Sequence, residues 1–79
     1  MAPQKDFENA RRLSELKPGE SGKIQATSLT NERLAEMGFI KGEKVTLIQI
    51  APLGDPLILQ ILDTPVIVRR ADLEGVFVV

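Results

Sequence analysis

The sequence contains no cysteine and no histidine, and tryptophan and tyrosine are also missing. Without cysteine the chain can form neither a disulfide framework nor a thiolate metal site. Without histidine it lacks the commonest general base and the commonest transition-metal ligand. Because neither nucleophilic cysteine nor a histidine base is present, a catalytic triad is excluded.

The sequence also lacks a large excess of charges of one sign, and it lacks a long apolar segment. Ten basic and eleven acidic residues give a net charge of −1, whereas a nucleic-acid-binding domain is expected to carry a basic surface. No apolar run approaches the roughly 20 residues of a membrane span, and the N-terminus lacks the apolar segment of a signal peptide. The 79 residues, of which 43% are hydrophobic, are therefore expected to form one small cytoplasmic domain.

A short helix and its stop signal, over residues 31–42, organise the chain. Leu34 and Met37 are three residues apart and share one helical face. Gly38 follows them at the position where a left-handed residue ends a helix. Phe39 is expected to fold back on the helix end, and Gly42 to open a second turn.

Strand patterns surround this helix. In residues 43–51, Val45 and Leu47 occupy one face while Ile48 and Ile50 occupy the other, so a bulge or a sharp bend near Leu47–Ile48 is predicted to turn both pairs inward. The other predicted strands are residues 21–27, 57–62, 66–68 and 76–79. A turn is predicted at residues 17–20, a tight turn at Asp63–Thr64, and a helical or 3₁₀ turn over residues 69–75.

This order of elements predicts a mainly β fold. We expect a five-stranded SH3-like barrel with one short helix after the first strand and a helical turn before the last strand. Residues 13–79 are predicted to form the barrel. Residues 1–12 are predicted to be a mobile tail or a short helix that docks Phe7.

The remaining polar groups give little support for catalysis or metal binding. Glu32 and Glu36 lie four residues apart on the helix and are the obvious pair of carboxylates, but we expect both to be solvated. The acidic residues suit hard cations, and none has the spacing of a calcium loop. The prediction is a protein that is not an enzyme, with no cofactor and no metal site.

Partner binding is the function that remains. An aromatic groove for proline-rich peptides is disfavoured, because the chain has only three phenylalanines as aromatics. The stiff loop of residues 52–56 would bind at low entropic cost. The predicted partner-binding residues are Leu34, Met37, Phe39, Leu53, Gly54, Asp55 and Pro56, with Arg33, Arg69 and Arg70 as charged contacts. Each of these residues has a structural alternative. Leu34, Met37 and Phe39 can belong to the core, and the loop can be a plain connection in which Asp55 caps the turn. The arginines can be solvated side chains without a partner-binding role.

Three segments, RLAEMGFIKGEKV, IAPLGDPLILQI and VIVRRADLEGVFV, resemble the FeoA family, ferrous iron transport protein A. The resemblance covers about residues 13–79. Leu34, Met37, Gly38 and Gly42 match the family's helix and turn, and Val68, Arg69, Asp72 and Leu73 match its segment before the last turn. Residues 51–56 are the most specific match. Lys41 departs from the family, which usually has proline there.

The resemblance implies an SH3-like barrel that acts as a cytoplasmic accessory of FeoB, the GTPase-coupled Fe(II) permease, by binding the permease's cytoplasmic part. The same domain occurs at the C-terminus of iron- and manganese-dependent repressors, so a regulatory or interaction domain related to theirs is an alternative. Because the chain begins with Met and has no room for a DNA-binding motif, we do not expect it to be a repressor itself. Three other functions stay open: a modulator of GTP hydrolysis that supplies Arg33, Arg69 or Arg70 as a cation, a carboxylate metal sensor, and weak self-association through the edge of residues 76–79.

Overall fold

The computed structural model describes residues 10–27 and 32–79, and among these it leaves out the side chains of residues 26, 27, 32 and 33. The six strands are β1 (Arg11–Arg12), β2 (Ser21–Thr27), β3 (Lys44–Ile50), β4 (Leu57–Ile61), β5 (Thr64–Val68) and β6 (Val76–Val78). One α-helix, α1 (Glu32–Glu36), lies between β2 and β3. The first 3₁₀ helix (Leu13–Glu15) follows β1, and the second (Arg70–Leu73) precedes β6.

All strand pairs are antiparallel, in the order β1-β6-β2-β3-β4-β5. β2 changes partner along its length: its first half pairs with β3, from Ser21 opposite Thr46, and its second half pairs with β6, from Ile24 opposite Val78. This change of partner bends the sheet around one core. The molecule is mainly β, as predicted, and is an SH3-like barrel.

The core is entirely apolar in the part of the chain that the structure describes. No polar or charged side chain is buried there. Every strand from β2 to β6, α1 and both 3₁₀ helices contribute to it. The buried side chains are Leu13, Leu16, Ile24, Leu34, Phe39, Val45, Leu47, Leu57, Leu59, Ile61, Val68, Leu73, Val76 and Val78.

The end of α1 follows the prediction closely. The Phe39 N–H donates to Leu34 O at 3.0 Å, and the Gly38 N–H donates to Ala35 O at 3.0 Å. Gly38 has a φ of +106°. These two bonds around a left-handed glycine form a Schellman motif, in which the apolar residue after the glycine packs back on the last turn. Phe39 and Leu34 are both buried accordingly.

The predicted bulge in β3 is present. The register against β4 shifts between Leu47 and Gln49, which leaves Ile48 as the extra residue. The bulge does not turn both apolar pairs inward, however: Val45 and Leu47 are buried and Ile50 is half-buried, but Ile48 is exposed. The Leu47 N–H donates to Glu20 O and Leu47 O accepts from the Gly19 N–H, so the bulge is fixed against the turn of residues 17–20.

The β4–β5 turn lies one residue earlier than predicted. Leu62 and Asp63 form it, with φ values of +54° and +62°, and Thr64 already belongs to β5. Positive φ at both central residues is the geometry of the two-residue hairpin turn that matches strand twist. Aspartate tolerates this conformation, but leucine gives no such signal, which explains the misplaced turn.

The strand count was also wrong by one. Arg11 and Arg12 form a two-residue strand, β1, opposite Val78 and Phe77, where a tail or a helix had been expected. The expectations for residues 1–9, including the docking of Phe7, lie outside the described residues. Because β6 has β1 on one side and β2 on the other, residues 76–79 do not offer the free edge predicted for self-association. None of the described helices is long and apolar enough to span a membrane.

Candidate functional site

The loop between β3 and β4, residues 52–56, presents the most exposed large apolar side chain of the described residues. Leu53 at its tip is 97% exposed. Two backbone hydrogen bonds close the loop: the Gly54 N–H donates to Ala51 O at 2.8 Å, and the Ala51 N–H donates to Pro56 O at 3.1 Å. The Asp55–Pro56 peptide bond is cis. The loop thus has a defined shape, and its tip points an apolar group at solvent.

Arg70, at the start of the second 3₁₀ helix, holds this loop against the rest of the fold. Its Nε and Nη2 atoms donate to Gly54 O at 3.1 and 3.0 Å, and its Nη1 donates to Ser14 O at 3.0 Å. The Arg70 backbone N–H donates to Asp55 Oδ1 at 2.8 Å. Asp55 therefore caps the 3₁₀ helix rather than its own turn, because its carboxylate accepts an N–H that has no partner within that helix.

A groove with a volume of about 430 Å³ opens between α1 and β5. Five of its seven lining residues are apolar, and the other two carry opposite charges. It is lined by Leu34, Met37, Pro56, Ile67, Val68, Arg69 and Asp72. We call this surface the α1–β5 groove. A smaller hollow of about 270 Å³, lined by Asp55, Pro56 and Arg69, lies beside it, so the groove continues to the loop of residues 52–56.

β5 borders the groove as an edge strand. It pairs with β4 on one side, and no described strand pairs with its other side. In a two-residue hairpin the residues that flank the turn, here Ile61 and Thr64, bond to each other, so alternate residues direct their backbone groups outward. These are Pro65, which has no N–H to offer, and Ile67, whose side chain is 67% exposed.

The structure separates the predicted apolar contacts into two groups. Leu34 and Phe39 are 3% and 1% exposed and belong to the core, although Leu34 also lines the floor of the groove. Met37 is half-buried at the groove wall. The loop residues Leu53, Gly54, Asp55 and Pro56 lie next to the groove, which Pro56 lines; their part in partner binding stays a prediction. Phe39 is the residue that the fold removes from this surface.

The three predicted arginine contacts have different positions. The Arg70 guanidinium is half-buried and bonded to two carbonyls, so it stabilises the site from within. Arg69 is exposed and lines both the groove and the hollow. The side chain of Arg33 lies outside the described part of the chain.

The carboxylates do not converge. Glu36 is exposed, and the side chain of Glu32 is not among those that the structure describes. Among the described residues, no three acidic groups lie close enough together to hold a metal ion.

Three groove residues, Ile67, Val68 and Asp72, were not predicted as site residues. Ile67 was read only as part of an apolar strand. The signal that could have identified it is Pro65, because a proline inside a strand marks an edge and so exposes the residues that alternate with it. Asp72 had no such local signal, since its position at the groove depends on how the second 3₁₀ helix packs.

Fold and surface together define a small SH3-like barrel domain with a groove and an exposed apolar loop tip on one side. The chain belongs to the FeoA family: residues 11–79 match the family model of the FeoA domain. The chain is 39% identical over 64 residues to a Fe(2+) transport protein A/Fe(2+) transporter FeoB fusion protein of Porphyromonas gingivalis. That match covers 77% of this chain but only 8% of the fusion protein.

Solved structures agree with this assignment. Iron(II) transport protein A from Clostridium thermocellum superposes with a TM-score of 0.81 at 32% identity, over 87% of this chain and 45% of that chain. The zinc complex of FeoA from Stenotrophomonas maltophilia, described as a procaryotic SH3 domain protein, gives 0.73 at 31% identity, over 85% and 87% of the two chains. A manganese-dependent transcriptional repressor shares the fold at 16% identity. The chain therefore belongs to a family involved in ferrous iron transport.

Proposed function

We propose that this protein is a cytoplasmic accessory of ferrous iron uptake that binds the cytoplasmic part of a FeoB-type permease. The observation that carries the proposal is the Porphyromonas gingivalis relative, in which a similar segment is fused to FeoB. Fusion keeps two domains at a high effective concentration and thereby promotes contact between them. Such an association requires a contact surface on the FeoA domain itself.

The loop and the α1–β5 groove are the surface that we assign to this contact. Leu53 is almost fully exposed, and Ile67 is two-thirds exposed, on a molecule whose core is otherwise well closed. Burying a leucine side chain in a partner contributes about 1.5–3 kcal/mol. Because backbone bonds within the loop and the bonds from Arg70 to Gly54 O already fix it, little of this energy is lost in ordering it.

The direct test compares two substitutions of exposed apolar residues. Leu53→Ser is expected to weaken binding to the soluble GTPase domain of the permease by about 10-fold or more, with folding stability unchanged. Val79→Ser is the control, because Val79 is also exposed but lies at the β6 side of the sheet. Affinities measured by titration calorimetry decide the matter: equal effects of the two substitutions, or no binding by the wild type, would contradict the proposal.

Modulation of GTP hydrolysis is a second candidate, favoured by the position of Arg69. This arginine is exposed at the junction of groove and hollow, and an arginine supplied by a partner can stabilise the charge of a phosphoryl-transfer transition state. If Arg69 acts in this way, saturating wild-type protein raises the rate of GTP hydrolysis by the permease's GTPase domain. Arg69→Ala then abolishes the increase, and the control Arg12→Ala does not. An unchanged rate with wild-type protein removes this candidate.

A further inference from the structure

Arg70 joins three segments that are far apart in the sequence. Its guanidinium reaches Gly54 O with two donors and Ser14 O with a third. Its own backbone N–H is bonded to the Asp55 carboxylate. Both the side chain and the backbone of Arg70 therefore bond the loop of residues 52–56 to the second 3₁₀ helix. The bond from Arg70 to Ser14 O adds a link to the first 3₁₀ helix.

The chemistry of this attachment is specific to arginine. A guanidinium presents several donors in one plane and stays charged at any pH that the protein survives, so it can bond two carbonyls at once. A lysine ammonium at the same place is a point charge on a flexible stem and cannot reproduce the paired bonds to Gly54 O together with the bond to Ser14 O. Hydrogen bonds from a charged donor are also stronger than neutral ones.

The loop has few other means of keeping its shape. Within it, the described bonds are those from Gly54 to Ala51 and from Ala51 to Pro56. Leu53 itself is too exposed to be held by packing. The orientation of the loop tip relative to the groove thus depends on the bonds that Gly54 and Asp55 make with Arg70.

We infer that Arg70 is a positioning residue for partner binding: it does not touch the partner but fixes the loop so that Leu53 is presented next to the α1–β5 groove in its bound orientation. This inference rests on the function proposed above. Its consequence is that loss of the guanidinium raises the entropic cost of binding, since the partner must then order the loop itself.

The first test needs no partner. Hydrogen exchange is measured residue by residue in the wild type, in Arg70→Lys and in the control Arg12→Lys, which makes the same change at an exposed arginine on β1. We expect the Gly54 and Ala51 amides to exchange about 10-fold faster in Arg70→Lys alone, while the Leu59 amide in β4 is unchanged. Unchanged loop amides, or faster exchange throughout the molecule, would overturn the inference.

The second test uses the partner in a double-mutant cycle. Arg70→Lys is combined with Leu53→Ser, and affinity for the soluble GTPase domain is measured for all four proteins. If Arg70 acts through Leu53, its substitution weakens binding about 5-fold in the wild-type background and has almost no effect once Leu53 is replaced. Equal losses in both backgrounds would mean that Arg70 contacts the partner directly or acts on the whole fold, and would overturn the inference.

The two tests separate the inference from the proposed function. If the wild type does not bind the permease domain, the proposed function fails, and the exchange data still decide whether Arg70 positions the loop. If Arg70→Lys does not fold, Asp55→Ala takes its place, because it removes the other bond between the same two segments. Faster exchange confined to the loop then supports the inference, and exchange equal to that of the wild type overturns it.

Discussion

Gly22 shows how a single residue sets the closure of the sheet. It lies in β2 opposite Val45, close to where β2 changes its partner from β3 to β6. A Cβ atom at Gly22 would lie 2.8 Å from Val78 Cβ and 2.9 Å from Val78 Cγ2. Val78 is buried and β-branched, so its side chain has little freedom to move aside. The absence of a side chain at Gly22 is what allows β6 to pack so closely on β2.

The Gly22→Ala substitution is therefore expected to destabilise the protein by about 1–3 kcal/mol, the usual cost of overpacking a core. Alanine normally suits a strand better than glycine, so a loss of stability is opposite to what propensity predicts. Urea denaturation of Gly22→Ala, Val78→Ala and the double variant measures the coupling. We expect the double variant to lose less than the sum of the two single losses, and strict additivity would contradict the contact.

The fold alters the ionisation of Glu20. The Lys17 N–H donates to Glu20 Oε1 at 2.8 Å and Arg11 Nη2 donates to Glu20 Oε2 at 2.9 Å. These bonds, the one from Lys17 first, hold the pKa of Glu20 below its ordinary value of 4.5. A lowered folded-state pKa means that Glu20 stabilises the fold above about pH 4.5 and that this stabilisation is lost as the pH falls through the folded pKa.

NMR titration of the Glu20 carboxyl carbon is expected to give a pKa below 4.5. In Arg11→Ala the pKa should rise only in part, because the backbone N–H of Lys17 remains as the larger cause. The melting temperature of Glu20→Gln should fall below that of the wild type at pH 7, and the difference should shrink below pH 4.5. A complete return of the pKa to 4.5 in Arg11→Ala would show that the bond from Lys17 has no effect.

Among the elements, β5 is the one that combines an open edge with a means of protecting it. Unpaired strand edges promote association between molecules, and proline is one residue that blocks them. Pro65 directs its nitrogen outward from the sheet and has no N–H to donate, while Ile67 lies two residues further along the same edge. Pro65 therefore removes one of the backbone donors that a strand of another molecule could use at this edge. The outward backbone groups of Ile67 remain, next to the α1–β5 groove.

Pro65→Val is expected to restore an outward N–H and so to increase self-association, with little change in the stability of the monomer. Sedimentation velocity at several concentrations of wild type and variant measures this directly. Thr64→Val, one residue earlier with inward backbone groups, serves as the control for added apolar surface. If Pro65→Val stays as monodisperse as the wild type, the edge of β5 is not the route to association.

Features with a local cause were predicted from the sequence at this scale. The Schellman end of α1 follows from an apolar pair, one glycine and Phe39 in consecutive order, and the β3 bulge follows from two apolar pairs on opposite faces. Features with a long-range cause were missed. β1 consists of two arginines and has no periodicity of its own, so only its pairing with β6 defines it.

The candidate site divides in the same way. The loop of residues 52–56 could be identified from its prolines and glycine, whereas the role of Arg70 depends on Ser14, 56 residues away in the chain. Nothing in the neighbourhood of an arginine indicates which distant carbonyls it will reach. Phe39 is the opposite case, a residue predicted at the contact surface that the fold buries. An apolar residue at the end of a helix can belong to the core or to a contact surface, and only the packing of the fold decides between the two.

For the whole molecule, the strands that close the barrel and the proposed contact surface lie on different sides. β1, β6 and β2 close the barrel, with Gly22 and Val78 in close contact. β4 and β5, the loop of residues 52–56 and the second 3₁₀ helix form the side that carries the groove and the exposed Leu53. Substitutions of buried residues on the first side should change folding stability, and those of exposed residues on the second side should change partner affinity.

The most direct test of this account is an NMR titration of the isotope-labelled protein with the soluble GTPase domain of a FeoB-type permease. The account predicts that shifts concentrate at Met37, Leu53, Gly54, Ile67 and Arg69, with those of β1 and β6 unchanged. Shifts centred on β1 and β6 would place the contact on the wrong side of the barrel. No shifts at any ratio would contradict the proposed association with this part of the permease.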